Sequence, residues 1–255
     1  MKPLAARLLA TVWATVWAPV WAPVLAGLAL VCLLAGPPNA SAADNELAAA
    51  EKAAGWELLF DGQTTTGWMS PKGKPLPQSH VQDGALNPHP CDYMLVYEKP
   101  LDDYELSLEF KISPRCNSGI FVRTWPLEPR PGKDIGFNGL EIAIDDTTTA
   151  DFHDTGALYD LVKPSENAMK PAGDWNTALI TSRGEKLEVA INGRTVSRIN
   201  FEQWPDANRR PDGSMHKFDV AYKDHPRKGY VGLQDHGSDC WYRSIKLRRL
   251  SGTGK

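Results

Sequence analysis

Past residue 42 the sequence lacks any long segment with a 3.6-residue apolar period, so helices do not organise the chain. It also lacks the glycine loops of dinucleotide and P-loop sites, the HExxH zinc pattern and the GxSxG nucleophile turn. Nucleotide chemistry and serine hydrolysis therefore lose their usual support. A basic surplus is missing as well: with Lys2 and Arg7 set aside, 26 basic residues face 31 acidic ones, a charge of −5. That balance does not suit a polyanion, and nucleic acid is not expected as a partner. Cysteine is scarce, at four residues in 255.

The start of the chain reads as a targeting segment. Lys2 and Arg7 precede a mostly apolar run over residues 8–35, then Pro37, Pro38 and the small-residue signal Ala40, Ser41, Ala42. This layout predicts a secretory signal over residues 1–42, a periplasmic or secreted protein, and no membrane association after cleavage. An uncleaved anchor is the alternative, because the run approaches the roughly 20 residues that a span needs. The repeat TVWATVWAPVWAPV belongs to this leader, and Cys32, preceded by Leu30 and Val31, lacks the small residue of a lipoprotein signal. Of the remaining cysteines, Cys116 and Cys240 each lie beside a polar-faced strand and are expected to form one disulfide, leaving Cys91 over. Three free thiols are the alternative.

Residues 43–54 read as a tether or short helix, and a single domain follows over 55–251. There the pattern is of short strands separated by Gly, Pro, Asn and Asp. The cleanest is 104–112, where Tyr104, Leu106, Leu108, Phe110 and Ile112 alternate with polar residues and predict one buried face. Asn192-Gly193 is a strong hairpin signal. Residues 201–228 form a long polar stretch, either a functional rim or an insertion. The last strand, 241–250, puts Trp241, Arg243, Ile245 and Leu247 on one face, and an inward Arg243 would need a partner. About ten such strands predict an all-β fold, an antiparallel sandwich or jelly roll.

Three strands split into an apolar and a polar face. In GYVGLQDHG, Val231 and Leu233 oppose Tyr230, Gly232, Gln234 and His236; in SGIFVR, Ile120 and Val122 oppose Gly119, Phe121 and Arg123; in LEIAID, Leu140, Ile142 and Ile144 oppose Glu141, Ala143 and Asp145. Strict alternation would gather Arg123, Glu141, Gln234 and His236 on one sheet face.

Eight pieces in order, WELLFDGQTTTGW, CNSGIFVR, GLEIAIDD, TGALYDLVKP, KPAGDWNTALI, INGRTV, GYVGLQDHG and YRSIKL, resemble the 3-keto-disaccharide hydrolase domain family over about residues 55–250. The resemblance implies a concanavalin- or laminin-G-like jelly roll and an exported protein acting on sugars oxidised at carbon 3. Ala143 stands where the family usually has Gln, and Ser244 where it favours Asn.

A ketone at carbon 3 acidifies the proton on carbon 2, so a glycoside can break by proton abstraction there and loss of the carbon 1 substituent. That route needs a base, an acid and a positive charge or donor for the enolate. Glu141 and His236 are the base and acid candidates, in either order. Arg123 is a candidate for the enolate, as is a divalent metal ion acting as Lewis acid. By match to the family's motifs, Asp146 joins the catalytic candidates, and Asn117, Tyr159, Lys163, Gln234 and Asp235 are substrate-binding candidates with Trp175 as a stacking platform.

Each candidate has a plainer reading. Glu141 and Arg123 would make a cross-strand ion pair, His236 a turn residue, Asn117 a bulge former and Trp175 a core side chain. The competing function is a non-catalytic carbohydrate-binding jelly roll, which needs no titrating pair. A two-carboxylate glycosidase ranks below both, because only Asp145 shares the motif-strand face with Glu141.

Overall fold

In the computed structural model, which describes residues 44–250, the alternation of residues 104–112 becomes an unbroken strand with one face buried and the other half-exposed. In chain order the strands are β1 (Trp56–Leu58), β2 (Trp68–Met69), β3 (Val81–Gln82), β4 (Ala85–Leu86), β5 (Met94–Tyr97), β6 (Tyr104–Ile112) and β7 (Asn117–Thr124). They continue with β8 (Leu140–Asp145), β9 (Asn176–Arg183), β10 (Lys186–Ile191), β11 (Arg194–Asn200), β12 (Tyr230–Gln234) and β13 (Cys240–Arg249). One short helix, α1 (Ala49–Ala53), precedes them, tied down by a Glu51–Lys246 ion pair of 2.8 Å. The predicted leader lies outside the described residues. No helix among the described residues is long and apolar enough to cross a membrane.

The strands form two antiparallel sheets. Eight strands run in the order β11–β10–β9–β6–β13–β4–β3, with β1 also on β13, and five run β2–β5–β12–β7–β8. The sandwich is the antiparallel jelly roll expected from the strand pattern. Between the sheets, Leu106, Leu108 and Phe110 of β6 and Ile245 and Leu247 of β13 meet Leu95, Ile120, Ile142, Ile144 and Leu233 of the smaller sheet. Each such side chain contributes about 1.5–3 kcal/mol through burial, so this layer dominates stability. A separate, smaller apolar cluster of Met94, Val96, Phe121 and Ile135 covers the opposite face of the five-stranded sheet. Asn192 and Gly193, at φ 50° and 77°, close the predicted hairpin between β10 and β11.

Three register shifts interrupt the ladders, and the two outside the β10–β11 hairpin each move an arginine. Where β7 meets β12 the register shifts between Tyr230 and Gly232, and Arg123 has φ 54°. Arg123 therefore turns inward, away from the polar face where alternation puts it. It is fully buried and bridges the sheets: Nε donates to Ser182 Oγ at 2.9 Å and Nη2 to the Gly184 carbonyl at 2.9 Å. Burial lowers its pKa to about 10. Gly229 is required opposite, since a Cβ there would lie 2.4 Å from the Arg123 carbonyl carbon.

The second bulge shifts β13 against β6 between Arg243 and Lys246, with Ser244 at φ 50°. Ile245 and Leu247 stay in the core, but Arg243 points outward rather than inward. Its partners are Glu109 at 2.6 Å and Asp44, and it stacks 3.9 Å from the Trp175 ring. Asn45 clamps the bulge, its Oδ1 accepting from Ser244 N at 2.9 Å.

The expected disulfide is also corrected: Cys91, Cys116 and Cys240 are all free thiols. Cys116 and Cys240 are neighbours, both fully buried, and the adjoining Cys240 thiol together with burial pushes Cys116 well above the ordinary thiol range. Burial raises Cys91 to about 12.

Candidate active site

On the outer face of the five-stranded sheet a polar cavity of about 120 Å³ opens beside β7, β8 and β12. The structure brings five sequence-predicted residues to it: Glu141, Gln234, His236, Asn117 and Tyr159. Three more, Tyr93, Asp134 and Lys217, complete its wall.

Glu141 leaves β8 and lies flat across β7, over Gly119. A Cβ at Gly119 would stand 2.8 Å from Glu141 Cγ and 2.9 Å from Oε1, so only glycine leaves the carboxyl room. Burial raises the Glu141 pKa to about 8, with Lys217 pulling it down and Asp134 adding to the rise. Near neutral pH the group is therefore a protonated acid.

Gln234 closes β12 and is 3% exposed; its Oε1 has no hydrogen-bond partner among the described residues. A buried acceptor without a donor is costly, and a ligand hydroxyl would satisfy it. Two residues on, the exposed His236 stands at the rim. Asp235 between them points elsewhere, accepting from His89 Nδ1 at 3.0 Å, Cys91 N at 2.7 Å and Gly237 N at 2.8 Å. It builds the turn that presents His236 and does not line the cavity.

Tyr159 is held by its backbone N–H donating to the Glu141 carbonyl at 2.9 Å, and its ring stacks on His153 with centroids 4.4 Å apart. Burial, followed by the Glu141 and Asp160 charges, raises its hydroxyl pKa. Lys217 Nζ lies 4.2 Å from the same ring and supplies the cavity's cation. Its backbone N–H donates to Asp160 Oδ2 at 2.7 Å, which anchors the long polar segment against the sheet. Tyr93 enters from the loop before β5 at φ 75°, and its hydroxyl donates to Asp134 Oδ1 at 3.1 Å. Asp134 also accepts from Gly136 N at 2.9 Å, capping the 3-10 turn Ile135–Asn138.

Four other predicted residues lie away from this cavity. Arg123 is in the inter-sheet core. Asp146 Oδ2 accepts from Arg115 N at 2.7 Å and fixes the turn between β6 and β7. Lys163 pairs with Asp151 at 2.8 Å over the Phe152 ring. Trp175 sits between Lys111 and Arg243 on the outer side of the larger sheet. Among the described residues no three His, Cys, Asp or Glu side chains gather as metal ligands.

Arg123→Ala should therefore act on stability first. It removes two hydrogen bonds and a buried stem that joins the sheets, and should lower unfolding free energy by about 3 kcal/mol in a denaturant titration. Normal stability with lost turnover would contradict this placement.

The geometry can be set beside known proteins. A profile of the family described as "3-keto-alpha-glucoside-1,2-lyase-like domain" matches residues 55–248. A 3-keto-disaccharide hydrolase from Bacteroides thetaiotaomicron is 24% identical over 229 residues, covering 77% of this chain and 79% of that protein. A crystal structure from Parabacteroides distasonis, provisionally named a glycosyl hydrolase, is 26% identical with a TM-score of 0.64, covering 76% of this chain and 99% of its own. A second, with the same provisional name and organism, shares the fold at 23% identity and a TM-score of 0.68, covering 82% and 100%.

Proposed function

Because the chain belongs to the 3-keto-alpha-glucoside-1,2-lyase-like domain family, we propose that it cleaves glycosides whose sugar carries a ketone at carbon 3. One observation carries the reading: a carboxyl kept neutral near pH 7, an imidazole and an ammonium share one small cavity. Elimination from a 3-keto-glycoside calls for that set.

His236 takes the proton from carbon 2, and the C–H electrons move toward the carbon 3 oxygen as an enolate. Lys217, the cation of the cavity, stabilises that oxyanion in the role first expected of Arg123. The enolate then collapses, the carbon 1–oxygen bond breaks, and Glu141 gives its proton to the departing oxygen. A carbon 1–carbon 2 double bond conjugated to the ketone remains. Water adds at carbon 1, losing a proton to Glu141, while protonated His236 returns a proton to carbon 2; both groups are reset. Gln234 and Asn117 bind sugar hydroxyls, and Tyr159 forms a side wall. Export follows from the signal-like leader, where a periplasmic or secreted enzyme meets extracellular glycosides.

The test is to incubate the purified protein with a chromogenic 3-keto-glucoside and with its unoxidised parent, and to follow release of the chromophore. Release from the keto form alone is expected, and it should persist in chelator because side chains carry each step. No release from either compound, with measurable binding of both, would leave a non-catalytic sugar-binding module.

A further inference from the structure

The polar cavity does not end at its own wall. Tyr93 and Asp134 also bound a second cavity of about 250 Å³, whose other side is Pro71, Leu127, Pro129 and Ile135. The Tyr93–Asp134 hydrogen bond is the partition between the two. We propose that this second cavity is the leaving-group subsite, and that it takes an aromatic aglycone rather than a second sugar.

The inference rests on the proposed cleavage and adds the identity of the group that departs. At about 120 Å³ the polar cavity is well below the 300–1,000 Å³ of sites that enclose drug-sized ligands, and it suits a single ring. Whatever is bonded to carbon 1 must project out of it. Across the partition Pro71, Leu127, Pro129, Ile135 and the Tyr93 ring supply carbon walls, while Lys72, Asp92, Lys133 and Asp134 complete the lining, the Lys72–Asp92 pair lying exposed at the mouth. Ile135 is rooted in the Met94, Val96 and Phe121 cluster, which makes the floor firm.

A second sugar would need donors and acceptors for its hydroxyls, and those nearby already have partners. Lys72 pairs with Asp92, Asp134 holds Tyr93 and Gly136 N, and Lys133 lies 4.5 Å over the Phe137 ring. Hydroxyls laid against the carbon walls would give up water there without gaining a partner from those walls, which disfavours a sugar. A flat aromatic ring would bury apolar surface against the same walls without that cost.

The experiment compares phenyl 3-keto-glucoside, methyl 3-keto-glucoside and a 3-keto-disaccharide in the wild type and in Leu127→Ser. Loss of the leucine wall should raise KM for the phenyl compound about tenfold with kcat little changed, and leave the methyl compound, too short to reach the wall, unaffected. Pro129→Glu, which puts a charge on an exposed part of the same wall, should do the same and covers the case in which Leu127→Ser folds poorly. Equal effects on phenyl and methyl substrates, no effect on the phenyl one, or a lower wild-type KM for the disaccharide would overturn the subsite. Wild-type failure on all three would instead remove the cleavage reading, and the subsite with it.

Discussion

Glu141→Gln should lower kcat on a 3-keto-glycoside by about 10³-fold while leaving sugar affinity close to that of the parent. The amide keeps the shape of the side chain over Gly119 but cannot pass a proton to the leaving oxygen. The pH profile gives a second readout. With a pKa of about 8, Glu141 carries its proton below that pH, so kcat/KM should fall as pH rises through about 8, and that limb should vanish in the variant. Stability should track the same group. Its folded pKa is above the ordinary 4.5, so between about 4.5 and 8 the folded state holds a proton that the unfolded state has released. The parent should therefore lose stability across that window and level off above it. Because the residue is half-buried and water screens part of the effect, the loss is on the order of 2 kcal/mol. Glu141→Gln should show no such decline in melting temperature. A variant that retained turnover, or an unchanged alkaline limb, would remove Glu141 from the acid role.

Much of this arrangement was legible in the sequence because period 2 holds wherever the ladder is regular. Glu141 and Gln234 reach one cavity for that reason, His236 joins them from the turn that follows β12, and the core faces of β6, β8 and β12 obey the alternation residue by residue. The failures have a common physical cause. A bulge inserts one residue and reverses the face of the residues after it, and two of the three here fall beside Arg123 and Arg243. Neither Arg123 nor Ser244 is a residue type that advertises positive φ, so nothing local warned of the change. Lys217 was out of reach for a different reason. It lies in a polar stretch without periodicity, and only tertiary anchoring through Asp160 brings it to the sheet. That stretch could be marked as a rim or an insertion, but no spacing rule picks out one lysine within it. Tyr93 and Asp134 were hidden likewise, since their hydrogen bond joins two loops about forty residues apart.

Gly119→Ala should lower kcat by about 10²-fold without altering any reacting group. Gly119 is not in the left-handed region, so its backbone accepts alanine, and the whole cost must come from the new methyl meeting Glu141. At 2.8 Å from Cγ and 2.9 Å from Oε1 the methyl cannot coexist with the present rotamer, and the carboxyl must swing by about 1 Å or more, enough to spoil proton transfer. Overpacking of this kind should also cost about 1–3 kcal/mol of stability. The origin of that cost is testable by a double-mutant cycle. In a Glu141→Ala background the three atoms nearest the new methyl are gone, so Gly119→Ala should become neutral or slightly stabilising, giving a coupling of about 1–3 kcal/mol between two residues on neighbouring strands. If Gly119→Ala kept full turnover, or destabilised the Glu141→Ala protein just as much, the glycine would be serving the sheet rather than the acid. The expected coupling would instead mean that β7 gives up a side chain at this position so that β8 can lay its carboxyl across it.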